Sequence, residues 1–542
     1  MRSPLGSDPV APTSVLGRIG CLLVAVAMIA GCTQGVQDPP AVHSDPALVQ
    51  TVAGTVRGVV AEDHRLFAGI PYAAPPVGPL RWQPPEPAPA WDGVRDATRF
   101  GPRCPQPLEG DIELGRQTDE DCLNLHVWTP ASDSGSAALR PVMVWIHGGA
   151  FVTGTAAAYD ARRLVARGDI VVVTINYRLG ALGFLAHPAL GPAGEVGNYG
   201  LADQQAALRW VRDNIEAFGG DPGRVTVAGE SAGGMSVCDH LVAPDSQGLF
   251  GAALIQSGPC QAQLALPAAE RISIDYARNA GCGDPAVAAE CLRSLPVNEL
   301  REPVRYYRIG DDALSGPVTG TTILPQDPMV AFADGGAARV PVAIGSNRDE
   351  FTLFMALEYL RGIELLPEDY PRALADAFGA DAAAVADRYP LNRYDDSAPL
   401  AYSAAVTDAD FACVDERIGD DLARHSPVYA YEFNDRRAPA PEPFRTLPFP
   451  VGASHSLELR YLFDIGGAPD LDPAQQALSD QMIDYWSAFV STGTPNGDGL
   501  PDWPEVGDDP AAGQRLSLEP DATRVVDDFE QVHQCAFWEN LR

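Results

Sequence analysis

The sequence predicts an α/β fold with a mostly parallel central sheet flanked by helices, and three observations lead there. The runs Val142-Met143-Val144-Trp145-Ile146 and Ile170 to Ile175 are almost wholly apolar rather than alternating. Each therefore reads as a strand covered on both faces, and Val225 to Ala228, Ala252 to Ile255 and Val340 to Ile344 add three more. Helical stretches lie between them, notably Leu201 to Phe218, and buried strands alternating with helices are the pattern of a doubly wound sheet. Finally, Gly229-Glu230-Ser231-Ala232-Gly233 follows one of these strands and leads into a helix-permissive stretch, which puts a serine at the apex of a sharp strand–turn–helix.

Taken in order, the chain opens with Arg18 and an apolar run from Ile19 to Ile29, then Ala30-Gly31-Cys32. Eleven residues are too few to cross a bilayer as a helix and suit the core of a signal peptide. Its end is similar to a bacterial lipobox, in which Cys32 would be lipidated and become the mature N-terminus. An ordinary secretory signal with an incidental Cys32 is the other reading. Residues 33–48, with Pro39, Pro40 and Pro46, read as a tether, leaving 49–542 as one catalytic domain. The proline-rich segment Pro71 to Pro89 reads as an irregular wrap. Gln261 to Pro325 and Phe351 to Asp410 read as helical insertions that roof the active site.

The 542 residues carry 38 basic side chains, all arginine, against 72 acidic ones, a net charge of -34. Such a field repels phosphate backbones and anionic headgroups, so nucleic acid is not an expected partner and contact with a membrane is expected only through the lipid anchor. Solubility explains this charge more simply than steering of a cationic substrate does. No cluster of His, Cys and carboxylates has metal-ligand spacing and no phosphate-cradling glycine loop stands out, so neither metal nor cofactor is expected.

The run Asn198-Tyr199-Gly200-Leu201-Ala202-Asp203-Gln204-Gln205 and the stretch Phe218-Gly219-Gly220-Asp221-Pro222 precede the serine turn directly. With Phe67-Ala68-Gly69-Ile70-Pro71-Tyr72, Glu120-Asp121-Cys122-Leu123, Ile175-Asn176-Tyr177-Arg178 and Cys535-Ala536-Phe537-Trp538, they make the chain resemble the type-B carboxylesterase and cholinesterase-like family over nearly all of its length. The resemblance implies the α/β-hydrolase fold and disulfides Cys104–Cys122 and Cys413–Cys535. Cys282 and Cys291 flank a short helical segment and form an expected third pair. Cys238 and Cys260 remain, either paired or as buried thiols.

A serine nucleophile needs a base to take its proton and an acid to orient that base. Within the resemblance Ser231 is the nucleophile. The acid lies in Gly345-Ser346-Asn347-Arg348-Asp349-Glu350, where Glu350 is the first choice. Phe351 stands where the family has glycine, which keeps Asp349 open. Of nine histidines, His455 in Gly452-Ala453-Ser454-His455-Ser456-Leu457-Glu458 resembles the family's histidine loop and is the expected base. His147-Gly148-Gly149-Ala150-Phe151 follows a strand and offers backbone donors for an oxyanion. Aligned on the family motif, the donors are Gly149, Ala150 and Ala232, Gly148 lets the loop bend, and His147 braces it. Glu230 would line the active-site wall, and Arg178 with Asp203 and Arg81 with Glu120 would form structural ion pairs. Ala150, where many relatives that accept tertiary-alcohol esters carry a third glycine, argues against such esters here. The Cys104–Cys122 loop holds no aromatic residue to grip a quaternary ammonium group, so choline esters are poor candidates. The expected activity is that of a serine carboxylesterase acting on a small-molecule ester through an acyl-enzyme. The other readings are cleavage of an amide, carbamate or lactone, or an inactive cell-surface binding protein on the same fold.

Overall fold

An eleven-stranded sheet organises the chain. In the computed structural model, residues 45–107, 118–131, 138–310, 312–507 and 513–541 are described. The expected signal peptide, Cys32 and the tether as far as residue 44 lie outside the described residues. The strands are β1 (Val59–Val60), β2 (His64–Pro71), β3 (Asn124–Pro130), β4 (Arg140–Ile146), β5 (Val171–Ile175), β6 (Gly220–Glu230), β7 (Ala252–Gln256), β8 (Val342–Asn347), β9 (Val428–Phe433), β10 (Arg515–Leu518) and β11 (Arg524–Val526). Across the sheet they run β11-β10-β9-β8-β7-β6-β4-β5-β3-β2-β1. All pairings from β10 to β5 are parallel. The edges are antiparallel, β11 on one side and β3, β2 and β1 on the other.

The apolar runs are apolar throughout because both faces are covered. Along β4, Val142, Val144 and Ile146 join one core with Leu201, Leu208 and Val211 of α1 (Tyr199–Asn214), whereas Met143 and Trp145 join another on the opposite face. Further helices are α2 (Ala232–Val242), α3 (Thr352–Leu360), α4 (Ala398–Thr407), α5 (Cys413–Ala423) and α6 (Pro473–Thr492). The second core is closed by α6, whose N-terminus carries a capping box. Asp472 accepts from the amides of Ala474 and Gln475, and Gln475 Oε1 in turn accepts from the Asp472 amide.

Several expectations need correcting. Pairing begins inside the expected tether, since Leu48 already belongs to a strand with Thr55–Arg57. The helix expected to run to Phe218 ends at Asn214, and its last turn tightens into a 3-10 turn at Ile215–Phe218. The strand expected from Val340 starts at Val342. The first roof insertion is not wholly helical. It also contains two short strand pairs, Leu264–Ala265 with Val318–Thr319 and Tyr307–Ile309 with Asp312–Leu314. Among the described residues there are four disulfides, Cys104–Cys122, Cys282–Cys291, Cys413–Cys535 and Cys238–Cys260. The last settles a pairing the sequence leaves open, because α2 and the loop after β7 lie side by side with the two Cα atoms 6.1 Å apart. Among the described residues, Cys413, Glu416 and Cys535 are close enough together to suggest a metal, but both sulfurs belong to a disulfide.

Candidate active site

Ser231 sits between the end of β6 and the start of α2 with φ 58° and ψ -122°, a backbone state that a residue with a Cβ adopts only under constraint. The constraint is close packing. A Cβ on Gly229 would lie 2.5 Å from the Gly233 carbonyl carbon, and one on Gly233 would lie 2.0 Å from the Ile146 carbonyl oxygen at the end of β4. No side chain fits at either position, so the small residues flanking the serine follow from the approach of helix to sheet.

The loop after β4 lies against this turn. A Cβ on Gly148 would come 2.7 Å from a Glu230 carboxylate oxygen and 3.0 Å from the Ser231 Cβ. Gly149, Ala150 and Phe151 have φ of 101°, 57° and 58°. The Gly149 carbonyl is held by the amides of Val152 and Thr153, and no group among the described residues accepts from the amides of Gly149 or Ala150. Ala232 opens α2, where a helix leaves its first amides unpaired. His147 is buried, stacks on Tyr177 at 4.4 Å between centroids, and donates to the Gly148 carbonyl at 2.8 Å. Burial lowers it to about 4, so it is neutral and braces the loop.

The carboxylate candidates separate by geometry. Glu350 lies 2.5 Å from His455 Nδ1, and its other oxygen accepts from the Asn347 amide at 2.6 Å. Asp349 instead takes two bonds from Arg436, at 2.6 and 2.9 Å, and one from the Ala453 amide. Its role is to hold the histidine loop in place. Phe351, in place of the family's glycine, turns away into the roof, where its amide donates to Thr407 Oγ1 at 3.0 Å. The other histidine nitrogen, Nε2, is buried without a hydrogen-bond partner and lies 3.2 Å from Glu230 Oε1. No hydrogen bond joins it to Ser231, and unliganded sites commonly hold this contact open.

Sequence reasoning passed over several groups here. Glu458, buried, accepts from Asn347 and Gln256 at 2.6 and 3.1 Å, and Trp486 donates to Gln256. Ser456 donates to Glu230. Phe354 and Phe411 flank the His455 ring at 5.4 and 5.5 Å, the latter delivered by a π-helical turn at Asp408–Ala412. Of these, Asn347, Ser456 and Glu458 fall within the acid and histidine motifs, whereas Gln256, Phe354, Phe411 and Trp486 do not. The buried pair Arg178–Asp203 and the partly buried pair Arg81–Glu120 form as expected, at 2.7 and 2.6 Å.

Burial alone would lower His455, but the carboxylates of Glu230 and Glu350 outweigh it and bring the imidazole to about 9. Burial also raises Glu230, and with Glu230 and Glu350 nearby it carries Glu458 to about 8. Glu458 is therefore largely protonated at neutral pH.

A parallel sheet with a strained serine turn, a histidine–carboxylate pair and an amide-lined loop at its carboxyl edge defines an α/β-hydrolase. The sequence profile described as the carboxylesterase family matches residues 45–538. The chain is 36% identical over 500 residues to the cocaine esterase of Oryctolagus cuniculus, covering 86% of this chain and 91% of that one. It is 35% identical over 488 residues to the para-nitrobenzyl esterase of Bacillus subtilis (strain 168), covering 84% and 92%. With the fumonisin B1 esterase of Sphingopyxis macrogoltabida it shares 34% over 554 residues, covering 95% and 97%. The chain belongs to the carboxylesterase family and is a carboxylic ester hydrolase.

The Glu230 contact predicts a pH effect. An anion 3.2 Å from Nε2 favours the imidazolium, which cannot act as a base. Glu230→Gln should therefore move the acid limb of kcat/KM for p-nitrophenyl acetate to lower pH by about one unit or more, the usual effect of losing a close opposite charge. An unmoved limb would mean that Glu230 does not set the charge of His455.

Proposed function

We propose that the chain hydrolyses carboxylic esters through an acyl-enzyme on Ser231, with His455 as the base, Glu350 as the acid and the amides of Gly149, Ala150 and Ala232 as oxyanion donors. The observation that carries this reading is the 2.5 Å contact between Glu350 and His455 beside a serine in a strained turn. In the reaction His455 Nε2 takes the Ser231 proton as Oγ attacks the carbonyl carbon. The negative charge developing on the carbonyl oxygen is met by fixed amides, each typically worth about 3 kcal/mol. His455 then protonates the departing alkoxide. Water, deprotonated by the same imidazole, cleaves the acyl-enzyme and regenerates the serine. Glu350 keeps Nδ1 protonated and stabilises the imidazolium without giving up its own charge.

Ser231→Ala should abolish hydrolysis of p-nitrophenyl butyrate while leaving the thermal melt in place. Glu350→Gln should lower kcat by about a thousandfold or more, in line with losses at comparable triads. Asp349→Asn, which touches the histidine loop but not the imidazole, should cost far less. The reverse order would move the acid to Asp349.

Ala150 holds its methyl group in a left-handed backbone position within the donor loop. That group crowds the alcohol side, so the favoured substrates are short to medium esters of primary alcohols rather than esters of tertiary ones. Ala150→Gly should raise the ratio of kcat/KM for tert-butyl acetate over ethyl acetate. A wild type that cleaves both equally would remove this part of the proposal.

We place the enzyme outside the cytoplasm, anchored by lipid on Cys32, a reading supported by the sequence before it and by four disulfides. Cys32→Ala expressed in the native host should shift activity from the membrane fraction to the soluble one. A mature N-terminus other than residue 32 in the wild type would refute the anchor.

A further inference from the structure

The roof segment that carries Phe411 is gripped by a histidine that the proposed triad does not use. Between α4 and α5 the chain makes the π-helical turn Asp408–Ala412, in which the Cys413 amide donates to the Asp408 carbonyl five residues back. Such a turn holds one residue more than an α-helix would. Relaxing it would swing Phe411 about the helix axis by on the order of 100°, off the His455 ring that it flanks at 5.5 Å. The C-terminal segment ties this turn at both ends. His533 Nδ1 meets Asp408 Oδ1 at 2.5 Å where the turn begins, and Cys535 is bonded to Cys413 directly after it.

His533 ends the short helix Phe529–His533 and is buried, with its ring 4.4 Å from that of Phe529. Its Nε2 meets Glu432 Oε1 at 2.7 Å. An imidazole donates from both nitrogens only when it is protonated, so a ring with a carboxylate at each nitrogen is an imidazolium. Burial opposes charge on the ring and on Asp408, but the two carboxylates outweigh it at the ring and bring His533 to about 9. The carboxylates differ in how firmly they are held. Glu432 belongs to β9 in the central sheet and also accepts from Asn434 at 2.7 Å. Arg348, 3.3 Å from His533 Nε2, donates to Glu432 at 3.1 Å, so one carboxylate holds both cations. Asp408 belongs to the roof, where Tyr389 donates to its other oxygen at 2.8 Å and Trp538 of the C-terminal segment donates in turn to Tyr389. The imidazolium therefore joins a carboxylate fixed to the sheet to the carboxylate that opens the π-turn. We propose that His533 is a positioning residue, which holds the π-turn wound and so keeps Phe411 packed against the His455 imidazole. The proposal rests on His455 being the base.

The test is a double-mutant cycle on kcat/KM for p-nitrophenyl butyrate, with His533→Gln and Phe411→Ala made singly and together. His533→Gln removes the charge that grips Asp408 and should lower kcat/KM about tenfold or more, within the range that a misplacement of about 1 Å costs. In the Phe411→Ala background no ring is left to position, and the same substitution should change kcat/KM by less than about twofold. A residue that only stabilised the fold would act by the same factor in both backgrounds. Equal factors therefore overturn the inference, as does a His533→Gln enzyme with wild-type kcat/KM. If His533→Gln does not fold, Asp408→Asn, which keeps the shape of the other partner and removes its charge, is carried through the same cycle and read by the same outcomes. Hydrolysis that survives His455→Ala would instead overturn the base reading underneath, whatever the cycle shows.

Discussion

The packing of α2 onto the end of β4 is the constraint on which the rest of the site depends. With Gly233 pressed against the Ile146 carbonyl, no side chain separates the nucleophile helix from the strand that leads into the donor loop. That contact forces Ser231 into its left-handed turn, aims α2 so that Ala232 opens it, and brings Gly148 against the serine. One backbone approach thereby sets the relative positions of the proposed nucleophile and its three proposed donors. The cost of the strained turn is of order 1–3 kcal/mol, small beside the burial of the two cores that flank the sheet.

Electrostatics supply the second layer. The imidazole shares a buried space with Glu230, Glu350 and Glu458, and burial opposes charge on the imidazole, Glu230 and Glu458. The two contacts to His455 differ in kind. Glu350 meets Nδ1 and is itself fixed by the Asn347 amide, so it orients the ring. Glu230 meets Nε2, the nitrogen proposed to accept the serine proton, and is held by Ser456. The first arrangement serves orientation, whereas the second tunes how readily the base loses its proton. A chain of amide and indole donors, Asn347, Gln256 and Trp486, keeps Glu458 satisfied underneath.

Much of this was legible in the sequence, for physical reasons. Parallel strands buried on both faces need apolar residues at every position, and β4 and β5 therefore announced themselves. The serine turn needs small residues at two fixed offsets, which Gly229 and Gly233 supply. The antiparallel edge was not legible, because β2 and β3 mix polar and apolar residues and pair through a register shift between Phe67 and Ile70. The Cys238–Cys260 bond depends on two segments lying side by side in space. Phe354 and Phe411 reach His455 from the second roof insertion and the residue just after it, where neither periodicity nor spacing marks a side chain as facing the active site. Phe351 shows how a family departure is read in structure. It cast doubt on the turn after Glu350, but its side chain points into the roof and leaves Glu350 beside His455.

The central claim is that Ser231 is the residue acylated during turnover. Diethyl p-nitrophenyl phosphate, which phosphorylates an activated serine and releases p-nitrophenolate, measures it directly. The account predicts one p-nitrophenolate released per chain, complete loss of esterase activity, and a diethylphosphoryl group on the peptide containing Ser231. Stoichiometric inactivation with the phosphoryl group on any other residue would contradict it.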